Sequence, residues 1–149
     1  MDKKSIFDPA EFAALRERVN SLQPGAVRQW GKMTVAQMLA HANVPLEVGL
    51  GKLQLPPEGN FLTRRLLKWY VLGKTEFKRN LPTSRFFLVT DGRMFEQEKK
   101  RLLDNLDDAH TRGLDGPWAP HNAFGALAPE QWGTLTWLHL DHHLRQFSV

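Results

Sequence analysis

Apolar residues recur at helical spacing along most of the chain. Phe12, Leu15, Val19 and Leu22 lie on one face of a helix that Asp8 caps, with Pro9 at its first position and Glu11 closing a capping box. Gln23-Pro24-Gly25 stops it, so the predicted span is Pro9 to Leu22. Thr34 and Gln37 form a second capping box, and Val35, Met38, Leu39, Ala42 and Leu46 continue as a helical stripe to about Gly49. Pro45 lies inside this helix, where it removes the bond to the His41 carbonyl and is expected to bend the axis.

A shorter helix is predicted from Phe61 to Leu72, with Arg64, Arg65 and Lys68 set among Leu62, Leu66, Trp69 and Tyr70. Gly73 to Thr90 has no clear period and reads as loop. Asp91 is a candidate cap for a helix from Gly92 to Ala109, with Met94, Leu102, Leu103 and Leu106 inward and a Glu96–Lys100 pair outward. A long connection from Gly113 to Ala126 precedes a last helix, Pro129 to about Gln146. No strand pattern competes. The expectation is an all-α protein: one domain, residues 1–149, built as a four-helix bundle with an extra short helix and two long connections that rim a pocket.

Composition changes the picture in two ways. The absence of cysteine excludes disulfides, thiolate metal sites and a cysteine nucleophile, which leaves His, Asp and Glu as metal ligands. The net charge of +4 is unevenly placed, since Lys52 to Arg85 carries eight basic residues against Glu58 and Glu76. No run is apolar enough for a signal peptide or a membrane span, so the cytoplasm is the expected compartment.

The histidines supply the candidate chemistry. His139 and His143 stand four apart on the last helix, one turn from each other, on a face shared with Trp132, Leu135, Thr136 and Gln146. That face points inward. His41 falls among the core residues of the second helix. Buried imidazoles need partners, and three of them on two neighbouring bundle helices suit one divalent ion with a position left open for water or substrate. His142, about 60° round the helix from His139, is the alternative ligand to His143. Trp132 is a candidate pocket wall, and Gln37 lies one turn before His41. His110 and His121, beside loops, are expected to be solvent-exposed. Asp141 is expected to pair with a basic residue on another helix.

The segments Trp30-Gly-Lys-Met-Thr-Val-Ala-Gln-Met-Leu-Ala-His41 and His139-Leu-Asp-His-His-Leu-Arg-Gln-Phe147 resemble a bacterial branch of the DinB/YfiT-like superfamily, as does the Phe124-Gly125 turn. The resemblance implies a four-helix bundle with a metal on His41, His139 and His143, and a glutamine, here Gln146, one turn later. Where relatives place arginine directly after the last ligand, this chain has Leu144, with Arg145 following. Characterised members are thiol-dependent transferases and isomerases, so a metal-dependent reaction of a small molecule with a low-molecular-weight thiol such as mycothiol or bacillithiol is implied. Relatives also pair through their bundles; a homodimer with Trp137 at the contact is the corresponding expectation.

Other readings start from the same residues. Water in the open position would make a metal-dependent hydrolase, and no open position would make a non-catalytic metal-binding bundle with a binding or stress role. Zinc and nickel head the candidate ions, with iron and cobalt also compatible. No general base stands out. The basic, aromatic Phe61–Leu72 segment has the composition of a nucleic-acid or membrane-surface binder. The reading preferred from sequence is plainer: its apolar side covers the bundle end while its charges are solvated.

Overall fold

The computed structural model describes residues 3–149. Five α-helices are present: α1 (Pro9–Ser21), α2 (Val35–Gly49), α3 (Phe61–Leu72), α4 (Phe95–Arg112) and α5 (Pro129–Gln146), with a 3₁₀ turn at Arg85–Phe87. Among the described residues there is no strand, only an isolated bridge between His121 and Gly125. The fold is all-α, as the hydrophobic periodicity predicts.

Four helices make the bundle in the cyclic order α1, α4, α2, α5, each packed on the next. Their inner faces bury Leu15, Val19, Met38, Leu39, Leu102, Leu106, Leu140 and Leu144 in one core. The predicted caps at Asp8 and Thr34 form. Asp8 accepts from the N–H groups of Ala10 and Glu11, and Thr34 and Gln37 close a reciprocal box. Glu11 does not complete a box of its own; its carboxylate accepts from the Trp137 indole and pairs with Lys4. α2 runs from Val35 to Gly49 through Pro45 without interruption.

Several expectations fail locally. Asp91 does not cap α4, which starts at Phe95 after Met94; its carboxylate pairs instead with Arg93. Met94 is therefore outside the helix and exposed, and Leu103 is only partly buried. Lys100 pairs with Asp104 one turn ahead, not with Glu96. Trp137 is buried in the core of its own chain, so it offers no surface for a dimer contact.

The largest reversal is α3. Its cationic side, not its apolar side, reaches another segment of the chain: Lys68 donates to the Ala126 carbonyl, while Arg64 turns back to the Gly59 carbonyl just before the helix. Only Val71 and Leu72 at its C-terminal end join a core cluster, with Leu127, Trp132 and Leu135. Leu62, Leu66, Trp69 and Tyr70 are left exposed. The capping box of Asn60 and Thr63 starts the helix, and its C-terminal end reaches the apolar cluster.

The long connections converge on one side of the molecule. Asn122 donates to Glu58 and Ser84, and Glu58 N–H donates to the Asn122 carbonyl, which ties three connecting segments together.

Candidate metal centre

α2 and α5 are neighbours in the bundle, and their facing stripes bring His41, His139 and His143 together. One nitrogen from each lies within 4.8 Å of the others. Nε2 of His41 and Nε2 of His139 are 2.9 Å apart, and the ring centroids of the three pairs are 4.6–4.9 Å apart. In a tetrahedral site with Zn–N bonds of about 2.0 Å the ligand nitrogens stand ~3.3 Å from one another. The cluster brackets that spacing. His41 and His143 are buried and His139 is partly buried.

Two rings are held at their outer nitrogen. Nδ1 of His41 donates to the Phe87 carbonyl at 2.7 Å, and Nδ1 of His143 donates to Oε1 of Gln146 at 2.9 Å. Gln146 in turn donates from Nε2 to the Trp30 carbonyl at 2.8 Å, which orients its amide. A neutral imidazole protonated at Nδ1 presents a lone pair at Nε2, so these bonds select the tautomer a metal ligand requires. Gly31 makes the Gln146 contact possible. Its φ is +79°, and a Cβ there would lie 2.5 Å from Nε2 of Gln146.

Electrostatics point the same way. Burial pushes the His143 imidazole down to about 3, with His41 adding to the effect. Burial and then the neighbouring His143 hold His139 well below the ordinary range, and burial lowers His41. All three rings are neutral near pH 7, as metal coordination needs. With Nδ1–H of His41 committed to Phe87, its Nε2 lone pair faces Nε2 of His139, an arrangement that calls for a proton or a cation between them. The donor set fits one divalent ion.

The remaining sequence candidates fall outside this group. Gln37 closes the α2 cap and donates to the Asp91 carbonyl. His142 is buried, but its ring packs between Trp30 and Phe77 beside His143 and is not among the converging ligands. Trp132 is core: its ring stacks on Trp118, lies against His121 and fills space that a side chain at Gly49 would occupy. Its buried indole N–H has no partner among the described residues. Asp141 pairs with Arg18 on α1 and with Arg145, as expected of a structural carboxylate.

His121 corrects the sequence reading. It is 4 % exposed, not solvent-facing. The bridge to Gly125 folds its loop inward, so that the ring stacks on Phe124 and meets the edge of Phe87. Burial lowers its imidazole to about 4, and Nδ1 accepts from the Ala123 N–H. A neutral His121 therefore carries its proton on Nε2. His110 is also partly buried, stacked on Phe12 and bonded to the Ile6 carbonyl. The Phe87 carbonyl and the inward turn of His121 were missed from sequence; the clearest signal was Phe124-Gly125, whose glycine takes a φ of +73°.

A cavity of about 680 Å³ lies beside α3 and the Phe124–Ala126 turn, and none of the three clustered histidines lines it. Among the described residues no helix is long and apolar enough to cross a membrane. No curated protein and no solved structure matches the chain. A family match covers residues 2–149, almost the whole sequence: the chain belongs to the family described as "Protein of unknown function (DUF1569)".

Proposed function

We propose that the protein is a divalent-metal-dependent enzyme of DinB-like type that acts on a small molecule, with a low-molecular-weight thiol as co-substrate. The observation that carries this reading is the convergence of His41, His139 and His143, two of them held by Nδ1 bonds in the ligand tautomer. A structural ion needs only a closed set of four ligands. Three imidazoles leave a coordination position for an exchangeable group.

An ion held there would lower the pKa of a thiol or water brought to it and supply a nucleophile near neutral pH. The chain's own residues do the positioning. Phe87 fixes His41, and the Trp30–Gln146 pair fixes His143. The rings of Phe87 and Phe124 and of Trp132 surround His121 and exclude water from that side. The chain has no cysteine, so the thiol of a transfer reaction must come from a second substrate.

Elemental analysis of the purified protein is the first test, with His41→Ala and His143→Ala alongside. About one zinc or nickel per chain, lost in both variants, is the expected result. Activity is then read with electrophiles and individual thiols. Turnover that needs both the ion and one particular thiol supports transfer; thiol-independent turnover makes the protein a hydrolase. A bound ion with no exchangeable water identifies a non-catalytic site, and failure to bind any added ion rejects the proposal.

A further inference from the structure

The exposed side of α3 is apolar, and its cations are gathered around an adjoining cavity. Leu62, Leu66, Trp69 and Tyr70 recur at helical spacing on the outward side, with Trp69 77 % and Leu66 57 % exposed. A surface helix ordinarily turns such a stripe toward the core. Leaving it in water is unfavourable, so a contiguous patch of this kind marks a contact surface. Immediately beside it, Lys3, Arg64, Arg65 and Lys68 line the 680 Å³ cavity together with Phe61 and Trp69. Among the described residues no acidic side chain lines that cavity, and none of these four cations forms a salt bridge. Among the described residues Lys3, Arg64 and Lys68 donate to main-chain carbonyls.

We infer that α3 is a docking helix for an anionic lipid bilayer: its outward apolar face enters the interface, and the cationic cavity beside it receives lipid phosphates. The charge distribution selects this occupant. Two copies of the chain meeting through α3 would bring together two segments that each carry eight basic residues against two acidic ones. An anionic bilayer meets the same charge with attraction. Aromatic side chains at the boundary between the apolar face and the cations, here Trp69 and Tyr70, suit the headgroup level. This surface belongs to α3 and the turn before α5, away from the histidine cluster, so the inference stands independently of the enzymatic reading.

Flotation of the full-length, metal-loaded protein with vesicles of equal phosphatidylcholine and phosphatidylglycerol, against pure phosphatidylcholine, tests it. The wild type is expected to float with the anionic vesicles and to be released as salt rises. Leu66→Glu is expected to weaken binding about tenfold or more, and Arg65→Glu about fivefold or more. Both residues are exposed, so circular dichroism and metal content should not change. Inorganic phosphate at millimolar level should not release the protein if the apolar face is engaged. Release by phosphate alone would reduce the feature to an anion site and overturn the inference. So would equal binding to neutral vesicles, no binding at low salt, or a dimer in lipid-free solution that Leu66→Glu converts to monomer.

Discussion

α2 presents polar side chains on two sides, and the two sides differ in kind. Toward α4 it offers Asn43 and Glu47. Asn105 donates to Asn43 at 2.9 Å and to Glu47 at 3.0 Å; Arg101 grips Glu47 through two nitrogens and also reaches Glu98; Asn43 donates to the carbonyls of Leu39 and Glu98. Burial would push the Glu47 carboxyl up, but the bonds from Arg101 and Asn105 outweigh it and hold it below the usual range. Donors and acceptors match, and the network closes on itself. Toward α5, α2 offers His41, whose Nδ1 donates to the Phe87 carbonyl and whose Nε2 meets Nε2 of His139 at 2.9 Å. A polar cluster that satisfies itself joins two helices. One that gathers three imidazole nitrogens within 4.8 Å of one another can also hold an ion.

The largest expected effect breaks the α5 side. His143→Ala should abolish metal binding while the helical signal persists, measured by elemental analysis and circular dichroism; retention of stoichiometric ion would remove His143 from the site. Acid should separate the two sides next. In metal-free protein His121 is neutral when folded, with its imidazole at about 4, and ordinary when unfolded, at about 6.5. The unfolded chain therefore takes up the proton first as pH falls. Stability declines from pH 6.5 to 4, by roughly 3 kcal/mol from this residue. Glu47 acts in the same direction but in a lower window: its contribution is intact above its unfolded value and is lost as pH falls below about 4.5. Denaturant melts of wild type and His121→Asn across pH 7 to 4 should diverge in slope, since asparagine keeps an acceptor for Ala123 but does not titrate.

Asn43→Ala should cost about 2 kcal/mol of stability, because it opens a buried void and leaves Asn105 short of an acceptor. Metal affinity should be unaffected, and a matching loss of the ion would show that the two sides of α2 are coupled. Gln146→Leu should do the reverse, weakening metal binding about tenfold to a hundredfold in competition titrations with a chelator while the fold is kept. Thr34→Ala is the mildest. The lost cap should lower stability by about 1 kcal/mol with no change at the histidines.

What the sequence made legible follows from how each feature is encoded. Asp8, Thr34 and the i,i+4 histidines act within a turn or two of chain, where spacing alone fixes geometry. Asp91 shows the limit: a good cap residue lost to the packing of Phe95, which begins α4 without a side-chain cap. The Phe87 carbonyl that fixes His41 was invisible because a main-chain oxygen carries no residue identity and the partner lies 46 positions away. His121 looked exposed because loops usually are; its burial depends on Phe87, Phe124 and Trp132, from three separate segments. The outward turn of α3 was unreadable for a related reason. Helical periodicity identifies the apolar stripe but not the direction in which the rest of the fold leaves it facing.

His41 and His139 are separated by 98 positions. An ion bound to both closes a loop of that length, and so constrains the unfolded chain as a cross-link does. A covalent tie around about 100 residues is worth roughly 4–5 kcal/mol in chain entropy. This chain has no cysteine with which to make one. Chelation would then be equivalent to cutting a staple, and the protein's resistance to unfolding would depend on metal supply in the way that a secreted protein's depends on oxidant.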